Sequence, residues 1–200
     1  ELINKKGLPE SALKEVKTIY AGAKKEKNNA QLIKALVFQI NIQQQKEEDA
    51  TVKAILEVEK EINTSAEPVK SILTNLLAEA YWQYFQNNRW KFYDRTNTKA
   101  FTKDDLETWT VDDFHHKISS LYLSSVKEEK ILQQTKVENF EPIINKGNKR
   151  NLRPTLYDLL VHRAIAYFKN DERSITQPAD AFEINSATAF NPAADFIKQK

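Results

Sequence analysis

The three histidines, His115, His116 and His162, limit the acid–base and metal chemistry open to this chain. His115 and His116 follow Asp112 and Asp113, so four potential ligands fall within five positions of one predicted helix. A catalytic zinc site needs about three converging protein ligands, and adjacent helical residues diverge by about 100 degrees. Asp112 and His116 share a face, but the neighbouring histidine points elsewhere. The group reads as a solvated helix start with acids against the helix dipole. His162 lies in an apolar helical run, where a hydrogen-bonded place at the core edge is expected. Cysteine is absent, which removes thiol nucleophiles, disulfides and Cys-based zinc sites. No serine elbow, phosphate loop or metalloprotease motif is present. No catalytic, cofactor-binding or metal-binding residue is assigned, and the chain is expected not to be an enzyme.

Two short segments mix cations with aromatic or loop residues: Arg89-Trp90-Lys91 and the run from Lys146 to Arg153. Such mixtures can bind single-stranded nucleic acid by stacking and phosphate contact. Against that, 30 basic residues face 28 acidic ones, for a net charge of +2, and the acids are interspersed. No nucleic-acid partner is expected. Trp82, Arg89 and Trp90 are instead taken as candidate contacts with a protein partner, because Trp and Arg dominate interface energetics. The alternative for all three is a place in the core or at its edge. Arg153 and Asp158 flank a helix start and are expected to anchor it.

The elements that carry these residues are helical. Glycine occurs three times in 200 residues, too rarely for strand-rich or phosphate-cradling folds. Pro9-Glu10-Ser11 opens a first helix with an inward stripe of Leu13, Val16, Ile19, Tyr20 and Ala23. A second, near 30–45, buries Leu32, Ile33, Leu36, Val37 and Ile40, and a third, near 50–63, carries Val52, Ile55, Leu56, Glu59 and Ile62. Pro68 opens the fourth, whose stripe from Val69 to Phe85 is the longest in the chain. A helix end and a long loop follow to Thr110, where a fifth helix starts with Phe114, Ile118, Leu121, Tyr122 and Val126 inward. After a loop holding Pro142 and Gly147, a sixth helix opens at Pro154 and runs through Leu156, Leu160, Ala164, Tyr167 and Phe168.

The expected fold is therefore all-α: antiparallel helical hairpins, tetratricopeptide-like or alpha-solenoid, about six helices with an extended C-terminal tail. The helical-repeat-like domain covers 1–172. The tail, 173–200, retains Phe182, Ile184, Phe190 and Phe196 and is expected to dock. No apolar run reaches the ~18–20 residues that cross a bilayer as a helix. Glu1 stands where an initiator Met would, which fits either trimmed ends or a segment of a larger exported protein that has lost its signal peptide.

Several stretches carry a resemblance: Lys6-Gly7-Leu8-Pro9-Glu10-Ser11-Ala12-Leu13 with Ile19-Tyr20, the run from Gln31 to Leu36, Leu77-Ala78-Glu79-Ala80-Tyr81-Trp82-Gln83-Tyr84, Asn88-Arg89-Trp90-Lys91, and Leu152 to Leu160 with His162-Arg163-Ala164. They resemble the N-terminal helical region of large bacterial alpha-2-macroglobulin-like proteins. Members of that family are exported envelope proteins in which a protease cleaves a bait region and is trapped, sometimes through a Cys-Gln thioester. The resemblance implies location and context for this chain, with no catalytic residue, since it has no Cys. It implies a periplasmic or envelope location, with any lipid anchor outside this chain. The implied partners are downstream macroglobulin domains of the same chain or an envelope protein, with a target protease met through the parent protein. The other reading is a free-standing tetratricopeptide-like adaptor that binds a protein or peptide partner.

Overall fold

Helix starts and stops are written locally, and the computed structural model realises them over residues 8–44, 50–92, 105–145 and 147–170, the residues it describes. Helix α1 (Pro9–Glu26) opens with Pro at its first position, where a missing N–H costs nothing. It stops at Lys27, which takes the left-handed conformation (φ 56°) and lets the Asn28 N–H reach Ala23 O at 2.9 Å. Asn28 then caps α2 (Asn29–Gln44), its Oδ1 accepting from Gln31 N at 3.1 Å. This short link turns α2 back along α1. A second hairpin joins α3 (Ala50–Thr64) to α4 (Val69–Asn88).

Thr110 caps α5 (Val111–Ser125) in a reciprocal capping box with Asp113, and Thr155 does the same for α7 (Leu156–Phe168) with Asp158. The last helix thus starts past Pro154, because the hydroxyl of Thr155 sets the first turn. Asp158 anchors this start as expected. Arg153 does not; it is exposed, and its side chain makes no hydrogen bond or ion pair with the described residues. Between α5 and α7, a stretch that reads as loop contains α6 (Glu129–Gln134) and 3-10 turns at Val137–Ile143 and Arg150–Leu152. α6 buries only Leu132, so it is too short to show a helical period. The described residues hold seven α-helices and no strand, only a single bridge between Lys136 and Thr155.

The fold is all-α, with α4 at its centre. α4 packs against α2, α3, α5 and α7 and is buried on several sides, including Ser71, Thr74 and Asn75 among its apolar residues. Aromatic rings fill the space between α4 and α5: Phe92 and Phe114 lie 4.8 Å apart, and Trp109 stacks on Tyr81 at 5.5 Å. Carboxylates tie neighbouring helices at their rims. Glu61 of α3 accepts from Tyr20 and from Lys24 of α1, the latter at 3.0 Å. Glu59 accepts from Tyr81 of α4 at 3.1 Å and from Lys117 of α5 at 3.0 Å.

Some stripe residues expected inside are exposed. Ile19 (42%) lies on α1, an outer helix whose main neighbour is α2, and Leu56 (42%) falls beside the inward face formed by Ala54, Ile55 and Val58. Val37 (37%) and Phe168 (37%) are also open. The described helices all lie in the first of the two units into which the chain divides, Glu1–Lys169; of the second, Asn170–Lys200, only Asn170 is described. The expected docked tail at 173–200 lies outside the described residues. No helix among those residues is long and apolar enough to cross a membrane.

Candidate functional site

The helical period places Ile33, Lys34, Val37 and Phe38 on one side of α2. Opposite them stand Ile72, Asn75 and Leu76 of α4 and Leu159, Leu160 and Arg163 of α7, while the segment from Pro142 to Asn145 closes a fourth side. Together they bound a groove of about 540 Å³. Ile33, Ile72 and Leu160 are buried, whereas Val37 and Phe38 (48% exposed) form its open lip. Among the described residues the lining holds two cations, Lys34 and Arg163, and no acidic residue. Such an apolar concavity with a few placed polar groups is the usual form of a binding site.

A polar network holds one of those cations. Asn75 is fully buried; its Nδ2 donates to Ser125 Oγ of α5 at 3.0 Å and to the Leu160 carbonyl of α7 at 3.3 Å. Its Oδ1 accepts from Arg163 Nε at 2.7 Å. Ser125 Oγ in turn donates to the Tyr122 carbonyl at 2.7 Å. Tyr122 donates from its hydroxyl to Glu79 Oε2 at 3.0 Å, and the same oxygen lies 3.7 Å from the Arg163 guanidinium. Burial, followed by the Glu79 charge, pushes the Tyr122 hydroxyl well above its ordinary value of 10.0, so it remains a donor. Arg163 therefore meets the groove with a fixed orientation. Beyond its bond to Asn75 and the 3.7 Å ion pair with Glu79, its guanidinium N–H groups make no hydrogen bond to a described residue and can still donate to a ligand.

The sequence-derived candidates lie elsewhere. Trp82 is half-buried, with ring centroids 5.2 Å from Tyr167, 5.8 Å from Phe85 and 5.8 Å from His115. Arg89 and Trp90 occupy a 3-10 turn after α4 and are exposed, Trp90 to 71%, with Lys91 Nζ 5.4 Å from its ring. Eight helical positions carry Trp90 about 12 Å along the axis from Trp82, so the three do not form one patch. His115 is buried and shares a 2.7 Å hydrogen bond with the Tyr167 hydroxyl, while His116 is exposed. No three His, Asp or Glu side chains among the described residues are placed to hold a metal ion. His162 is exposed, contrary to its expected place at the core edge, because Arg163 and Ala164 take the inward positions. In the basic loop, Arg150 pairs with Glu141 at 2.5 Å.

Two elements were not singled out from the sequence. Trp109 is buried against Tyr81, and Asn75 organises the network behind the groove. The available signal for Asn75 was an amide set between Leu73 and Leu76 in the longest apolar stretch, since a buried polar group must find partners. No family model, curated protein or solved structure matches the chain.

Proposed function

We propose that this chain is the non-enzymatic N-terminal helical interaction module of a bacterial alpha-2-macroglobulin-like envelope protein involved in protease trapping or inhibition, and that the groove is its contact surface. One observation carries the reading: the stretches with the family resemblance supply walls of the groove. The run from Gln31 to Leu36 brings Ile33 and Lys34; the stretch from Leu152 to Leu160, with His162 to Ala164, brings Leu159, Leu160 and Arg163. Leu77 to Tyr84 lies within α4, at the centre of the core. In this reading the bait region and the macroglobulin domains follow Lys200, and the module engages one of those domains or an envelope protein. Trp90 and Arg89, exposed at the end of α4, offer a second contact surface.

The alternative is a free-standing tetratricopeptide-like adaptor. It is favoured by the fact that every described wall of the groove comes from these helices and their connections. Immunoblotting of fractionated source cells with an antibody raised against this chain separates the two. The module reading expects a band far above 23.2 kDa in the envelope fraction. A cytoplasmic band near 23.2 kDa overturns it in favour of the adaptor.

A further inference from the structure

We propose that the groove between α2, α4 and α7 takes an extended peptide segment of a protein partner in which carboxylate side chains alternate with bulky apolar ones. The inference rests on the interaction-module reading and adds the chemistry of the partner. Charge complementarity is the first ground. Among the described residues the lining offers Lys34 and Arg163 and no acid, Glu79 reaching Arg163 from outside the lining, on a chain whose acids and bases otherwise nearly balance. Arg163 is oriented in advance by Asn75 and Glu79, so little side-chain freedom is lost when a carboxylate meets its remaining N–H groups. The Lys34 side chain makes no hydrogen bond or ion pair with the described residues. The apolar lip is the second ground. Val37 and Phe38 are exposed beside a floor of buried Ile33 and Ile72, so bulky side chains flanking the carboxylate would cover them.

The test measures fluorescence anisotropy of a labelled synthetic peptide with alternating Phe or Leu and Asp or Glu, and of its twin with Asn and Gln in place of the acids. The expected result is saturable binding of the acidic peptide, roughly tenfold or more tighter than its amide twin and weakening with salt. Lys34→Glu and Phe38→Ser should each weaken it by roughly tenfold, whereas Lys130→Glu, on the exposed side of α6, should leave it unchanged. Phe38 is exposed and Lys34 half-buried with no side-chain partner to lose, so the fold is retained, and circular dichroism verifies this. Equal affinity for the two peptides, indifference to both groove substitutions, or self-association through the groove in place of peptide binding would overturn the proposal. Native mass and location decide the module reading and peptide affinity decides the partner chemistry, so either can fail while the other stands.

Discussion

Asn75 on α4 and Arg163 on α7, 88 positions apart, are joined by a 2.7 Å hydrogen bond from Arg163 Nε to Asn75 Oδ1. The other end of the same amide holds α5 through Ser125 and α7 through the Leu160 carbonyl. One buried side chain thus sets the relation of three helices and the direction of the groove cation. A fully partnered buried amide is worth most through what its loss leaves behind.

Asn75→Leu removes the acceptor for Arg163 and the donors to Ser125 and Leu160 together. Urea unfolding followed by circular dichroism should show a loss of about 2–3 kcal/mol. Lys70→Ala, exposed on the same helix, should stay within about 0.5 kcal/mol of the parent. An Asn75→Leu midpoint equal to the parent's would mean that the network does not organise the fold.

Stability should fall at alkaline pH. Burial first, then the charges of Glu59 and Glu79, hold the Tyr81 and Tyr122 hydroxyls well above the ordinary 10.0. A raised pKa stabilises the folded state fully below the unfolded value, and that contribution is lost as pH climbs from there toward the folded value. Melting temperature should therefore decline above pH 10.0, and the decline should be shallower in Tyr122→Phe. An identical slope in parent and variant would remove Tyr122 from this account.

The three tryptophans should separate by accessibility. Trp90 is 71% exposed, Trp109 is 5% exposed, and Trp82 is packed among rings. Acrylamide should quench mainly Trp90, so Trp90→Phe should abolish most of the quenching and change stability by less than about 0.5 kcal/mol. Trp109→Ala should cost about 3–5 kcal/mol, because it empties the space against Tyr81 and Phe114. Undiminished quenching in Trp90→Phe would contradict this placement.

Thr155 accepts from Asp158 N at 3.2 Å while Asp158 accepts from Thr155 N at 2.9 Å. Thr155→Ala removes half of this reciprocal cap and should lower stability by about 1 kcal/mol. Because α7 supplies Leu159, Leu160 and Arg163, peptide affinity should drop with it if the first turn frays. Thermal melts and anisotropy on the same preparation report both effects.

The sequence by itself determined the six longer helices, while α6, which buries only Leu132, left no period to read. Their starts and ends depend on neighbours within a turn: Pro9 at the first position of α1, Thr110 with Asp113 at α5, the residues before Asn28 at the end of α1. Apolar spacing carried most of the core, from Ile33 and Leu36 to Phe114, Ile118 and Leu160, because burial on one face leaves a period in the chain. Only tertiary structure decided which side of a broadly apolar helix is covered. On α2, Leu36 is buried while Val37 is open, and on α4, Trp82 joins the core while Trp90, past the last turn, does not. The groove likewise came from packing, since its walls are drawn from positions 33 to 163 and meet only when α2, α4 and α7 are brought together. Local preference acts over a few residues, whereas a site built from distant ones is set by how whole helices exclude water from one another.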